Sequence, residues 1–181
     1  VKMAPQEALH QVSWKTPVVK NVWEVPLQEK QQLLAEVNQV ALSNGADYVE
    51  SMLFAHREQT YLATTDGSYI QQEIHQFWPT FVVQAGQVGD ENCQRRKALS
   101  TPVGKGYEYL QKSPPDKVLG KVVRYKSTYD ILEDVKVAAQ QVKQLQTAKS
   151  VESGQYDLVI DPSALAGIIH NPIGKALNMD F

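Results

Sequence analysis

The chain has one cysteine, no apolar run of eighteen residues and no dense block of positive charge, and each shortage removes a class of protein. A lone thiol, Cys93, excludes an internal disulfide and suits a reducing compartment. It has no His-bearing catalytic segment beside it, so it is not read as a nucleophile. Without a bilayer-length apolar run or the hydrophobic heart of a signal peptide, the expectation is a soluble, cytoplasmic protein with no membrane partner. Lys plus Arg number 18 against 20 Asp plus Glu, a net charge of -2, and the basic run Arg95-Arg96-Lys97 reads as a solvated strand edge. An electrostatic footprint for nucleic acid is therefore lacking. No internal repeat or low-complexity tract is present.

What is there fills one domain. A chain of 181 residues buries roughly 70% of the surface it exposes when unfolded, enough for a core without staples. The first 27 residues hold Trp14, Trp23, Pro5, Pro17 and Pro26 and read as an extended arm anchored by its aromatics. Residues 28–44 carry Leu33, Val37, Val40 and Ala41 at helical spacing and stop at Asn44-Gly45. Two β-rich runs, 48–65 and 68–85, flank the hairpin signal Asp66-Gly67, and Pro79 is expected to interrupt the second or hold it at an edge. A shorter strand is expected over 94–101, then loops at 102–107 and 113–116, where Gly104 and Gly106 read as a turn and not as half of a phosphate loop.

Residues 128–149 give the clearest helix, with Ile131, Val135, Ala138, Val142 and Leu145 on one face and Ser127 with Asp130 as the capping pair. The pattern predicts an α+β fold, a mostly antiparallel sheet packed with two main helices, plus a C-terminal motif helix. As domains, it predicts an arm over 1–27 and a single α+β domain over 28–181. His10, His56 and His75 fall in separate segments and suggest no cluster, while Glu50, Glu58 and Glu73 are candidates to line a groove.

The end of the chain carries the strongest signal. A β run at Leu158, Val159 and Ile160 meets Asp161-Pro162, a helix start with proline at its first position, and the helix leads to His170-Asn171-Pro172-Ile173-Gly174-Lys175. This resembles the TldD/PmbA family, once called modulators of DNA gyrase, whose TldD members carry His-Glu-x-x-x-His after a segment like Asp-Pro-Ser-Ala-Leu. Glu7-Ala-Leu-His-Gln-Val-Ser-Trp-Lys-Thr-Pro17, Thr65-Asp-Gly-Ser-Tyr69, Thr101-Pro-Val-Gly-Lys-Gly-Tyr-Glu-Tyr109 and Tyr156-Asp-Leu-Val-Ile-Asp-Pro162 also look like segments of TldD-type N-terminal domains. The resemblance implies the N-terminal domain of a two-domain metalloprotease subunit that pairs in a TldD/TldE heterodimer trimming peptides. In that pair the TldE-type half lacks the metal motif. The gyrase name implies no DNA binding.

Here the Glu position of the motif is Asn171 and the second His position is Lys175. A zinc peptidase needs several neutral imidazoles or carboxylates on the ion and a carboxylate to take a proton from bound water. Asn171 cannot be that base, and Lys175, an ammonium with three donors and no free lone pair, repels a cation. His170 alone remains, as a vestigial candidate, so the expectation is no intact catalytic set, no bound metal and no cofactor. The family's third ligand belongs to a C-terminal domain that is expected to be absent, since the sequence ends at Phe181. The motif spacing also needs a local distortion: positions i and i+5 lie about 140° apart on a regular helix, and Pro172 should kink or restart the helix near His170.

Two functions remain. The first is a catalytically silent TldD/PmbA-like binding or assembly subunit, self-associating or paired with a TldE/PmbA-like partner and with peptide as a possible ligand. Leu165, Ile168, Ile169, Ile173 and Leu177 form the apolar stripe for that association. The alternative is a zinc-dependent peptidase, active only when a C-terminal domain or partner chain supplies the missing ligands.

Overall fold

The structure, a computed structural model, describes residues 10–65, 67–90, 92–110, 117–118, 121–122 and 128–177. Internal contacts divide the chain into two compact units, Val1–Ala148 and Lys149–Phe181. No helix among the described residues is long and apolar enough to cross a membrane.

The first unit is built on a long hairpin of β2 (Tyr48–Ala63) and β3 (Tyr69–Ala85), paired antiparallel from Tyr48↔Gln84 to Ala63↔Tyr69. The turn falls where Asp66-Gly67 predicts it. Thr64 N donates to Ser68 O at 3.0 Å and Gly67 N to Thr64 O at 3.0 Å, while Asp66 itself lies outside the described residues. On its other side β3 pairs with β1 (Gln11–Lys15) over Tyr69 to Glu73 and with β4 (Gln94–Lys97) over Val82 to Ala85. The β1 pairing is parallel, so the four-stranded sheet is mostly but not wholly antiparallel. A separate two-stranded ribbon joins β5 (Lys117–Val118) to β6 (Lys121–Val122).

Pro79 corrects one expectation: it neither interrupts β3 nor moves it to the sheet edge. The reason is local. β1 pairs with β3 only up to Glu73 and β4 only from Val82, so on that side no strand among the described residues lies opposite Pro79 and its missing N–H leaves no ladder bond unmade. The Ser100 hydroxyl donates to the Pro79 carbonyl there.

Side chains alternate across the sheet. Phe81, Val83 and Ala85 point to one face, where they are fully buried with Val37 and Ala41 of α1 (Leu27–Ser43) and with Ile131, Val135, Ala138, Ala139 and Val142 of α2 (Ile131–Leu145). Both helices thus cover one face, as expected for a two-layer α+β fold. Helix α2 is shorter than the predicted 128–149 because Asp130 caps it, its side chain accepting from Glu133 N at 3.1 Å, and Ser127 lies outside the described residues. Asp134 then ties α2 to the sheet. It accepts from Arg96 Nη2 at 2.8 Å, Leu99 N at 2.9 Å and the Tyr129 hydroxyl at 2.5 Å, so Arg96 is no solvated edge residue, although Arg95 and Lys97 are exposed.

The arm is seated differently from the expectation. Trp14 and Trp23 stay about half exposed, and the buried anchors are Val22 and Val25, which pack with Phe77 and Tyr107. In the second unit, Leu158, Val159 and Ile160 form no strand. β-branched residues make a strand only where a neighbour accepts their backbone bonds, and no such pairing occurs there among the described residues. Helix α3 (Pro162–Ile169) does begin at Pro162 as read.

Candidate functional site

Helix α3 opens when Leu165 N donates to Asp161 O at 2.9 Å, and it runs without a break into a π turn over His170–Gly174. The expected distortion at His170 takes this form. Pro172 brings no N–H to an α-helical ladder, and in a π turn the ring closes from i to i+5. The wider turn moves residue 175 toward the face of residue 170, away from the 140° separation of an α-helix. Gly174 permits the geometry, since a Cβ there would meet His170 Nδ1 at 3.0 Å.

The π turn therefore brings the His170 and Lys175 positions nearer to one face, and the groups at those positions are an imidazole and an ammonium. Zinc, the metal that the sequence resemblance implies, does not fit this donor set: one nitrogen ligand, a neutral amide at Asn171 and a cation at Lys175. Among the described residues no three His, Cys, Asp or Glu side chains come together elsewhere as a metal set either.

Of the remaining sequence candidates, His10 and His56 are exposed, and Glu58 accepts from the Thr60 hydroxyl at 3.2 Å. His75 is different. It is buried, and its Nε2 lies 2.6 Å from Glu73 Oε1, the same oxygen that takes Lys15 Nζ at 3.1 Å and Arg57 Nε at 3.0 Å. Gln59 Nε2 donates to the second oxygen at 3.2 Å. These partners, His75 foremost and then Lys15, Gln59 and Arg57, hold the Glu73 carboxyl down to about 2 against a desolvation that works the other way. Trp23 meets the His75 ring edge-on at 6.0 Å. Sequence reasoning missed this cluster, although the signal existed. Counting back from the hairpin turn at Gly67 places Arg57 opposite His75 and Gln59 opposite Glu73.

A larger opening of about 730 Å³ lies on the sheet face away from the helices. Its floor consists of two cross-strand rows, Tyr48–Gln84–Arg95 and Glu50–Val82–Lys97, with Val88 at the rim. Gln84 is buried. Its Oε1 accepts from Arg95 Nε at 2.7 Å while its Nε2 donates to Gly86 O at 2.8 Å, and Gly86 N in turn donates to Asp47 Oδ2 at 2.8 Å. Gly86 has φ 89°, and a Cβ on it would meet Cys93 Cα at 3.2 Å, so this relay requires glycine. Of the three glutamates put forward to line a groove, Glu50 does so here, and its side chain, like that of Lys97, has no hydrogen-bond or ionic partner among the described residues.

Compared with known families, residues 20–144 match the sequence profile described as the PmbA/TldA metallopeptidase central domain. The matched stretch runs from the end of the arm through α2 and contains the hairpin and the groove; residues 161–177 lie beyond it. The segments quoted from the sequence resemble a TldD-type N-terminal domain, whereas the matching profile is that of the central one. No curated protein matches the chain.

Proposed function

Because the chain belongs to the PmbA/TldA metallopeptidase family, we propose that it acts there as a binding or assembly member whose own motif helix holds no zinc. One observation carries this reading: the π turn moves the Lys175 position toward the face of His170, the place where a second imidazole would be needed. An ammonium there opposes a dication, and Asn171 offers no carboxylate to activate water. A lone free Cys93 is in keeping with a reducing cytoplasm as the setting.

Elemental analysis of the dialysed protein tests the metal half, with less than one zinc per chain as the expected result. One zinc per chain, lost on His170→Ala, would overturn it. The double change Asn171→Glu with Lys175→His is expected to bring little chelator-sensitive peptide hydrolysis, because it adds one imidazole and one base where catalytic zinc takes three protein ligands.

The assembly half rests on Leu165, Ile168, Ile169, Ile173 and Leu177, apolar side chains that are all exposed along α3 and the turn after it. Light scattering over a hundredfold concentration range should show mass rising with concentration and the rise removed by Ile169→Asp. A constant monomeric mass in both proteins would eliminate self-association through this stripe.

A further inference from the structure

The groove on the helix-free face separates charge across its width. Arg95 and Lys97 stand on β4, Glu50 stands on β2, and β3 lies between them with Val82 and Gln84 as the floor. Two strand spacings put these walls roughly 10 Å apart. Arg95 is held by its Nε through the Gln84–Gly86–Asp47 relay, so the bond that fixes the guanidinium does not use its two terminal nitrogens. Among the described residues those nitrogens, the Lys97 ammonium and the Glu50 carboxylate have no partner, although they line one cavity. Tyr48 and Val82 add an aromatic and an aliphatic surface between the charged ends.

We propose that this groove binds short peptides with free termini, the C-terminal carboxylate on Arg95 and Lys97 and the N-terminal ammonium at Glu50. Three extended residues span roughly 10 Å, matching the distance between the walls. A guanidinium whose Nε is already engaged still offers a planar pair of donors to a carboxylate. Glu50 works against a dianion such as phosphate and in favour of a ligand carrying its own positive charge. The volume falls in the range of small-ligand sites, where a few placed polar groups fix orientation on a partly apolar surface. The groove lies wholly within the Val1–Ala148 unit. This inference therefore holds whether or not the motif helix takes zinc, and the two ideas fail separately.

The test is a titration of the isotopically labelled 181-residue chain with the tripeptide Ala-Leu-Ala, following the backbone amides of Val82, Gln84 and Arg95. Saturable shifts are expected, and amidating the C-terminus or acetylating the N-terminus should each weaken binding about tenfold. Arg95→Gln should weaken the free peptide by a similar factor and cause no further loss for the amidated one. Glu50→Gln should bear the same relation to the acetylated peptide. Both side chains are exposed, so circular dichroism should show the variants folded. Absence of saturation into the millimolar range, equal affinity for the amidated peptide, or equally tight saturation of these amides by inorganic phosphate would each overturn the assignment.

Discussion

Replacing Phe81 with Ala is expected to lower the unfolding free energy by about 3–5 kcal/mol. Phe81 is fully buried at the point where both helices meet the sheet, in one cluster with Val37, Ala41, Val135 and Ala138. The backbone beside it cannot close the gap easily. Phe81 O accepts from Ala98 N at 2.9 Å, and the next inward position is the fully buried Pro79. The lost ring contacts are therefore joined by the penalty of a residual cavity. Against a typical total of about 5–15 kcal/mol, the change takes a large share of the stability. In urea the midpoint should fall with the slope preserved, since the fold is weakened and not rearranged. Phe54 provides the control. It stacks on Trp78 at 5.2 Å on the opposite, helix-free face and is 40% exposed, so Phe54→Ala should cost much less. Equal losses for the two variants would mean that the helices do not define the core.

The elements governed by local periodicity were legible in the sequence. Val37 and Ala41 on α1, and Val135, Ala138 and Val142 on α2, sit at spacings that admit one buried face, and those residues form the core. The hairpin was legible for the same reason, because Gly67 sits between two β-rich runs of matched length. The helix start at Pro162 and the distortion at His170 followed from the chemistry of proline and from the motif's spacing. Where the reading went astray, the deciding quantity was non-local. Pro79 is tolerated within β3 because of where β1 and β4 stop, and Leu158–Ile160 is not a strand because no partner lies beside it among the described residues. The parallel pairing of β1 joins residues nearly sixty positions apart, and no window of sequence contains it.

The same distinction separates the two polar sites. The motif helix is one continuous segment, so the mismatch of His170, Asn171 and Lys175 with zinc could be judged from residue types. The groove needs β2, β3 and β4 in register before Glu50, Gln84 and Arg95 become neighbours. Read along the chain, Arg95-Arg96-Lys97 is a plain basic run. In the sheet Arg96 turns inward to Asp134 while Arg95 and Lys97 turn to the groove, and only the alternation of the strand separates their roles.

Glu73 should make the protein lose stability in acid, within a window set by its own titration. Its carboxyl titrates near 4.5 when unperturbed and near 2 in the fold, where His75, Lys15, Gln59 and Arg57 favour the charged form. A depressed folded value means that the unfolded chain binds the proton more readily. The contribution of Glu73 is therefore fully present above pH 4.5 and is lost as the pH falls through about 2. In Glu73→Gln no proton can be taken up at this position, and Lys15 and Arg57 keep their charges with no counter-ion between them. The expected result is that wild type exceeds Glu73→Gln in unfolding free energy at pH 4.5, and that this margin shrinks steadily toward pH 2. Urea denaturation of both proteins across that range gives the margin directly, with the other carboxylates cancelling in the difference. A margin that stays the same at every pH would show that the cluster is held by packing around His75 and Trp23 and not by the charge on Glu73.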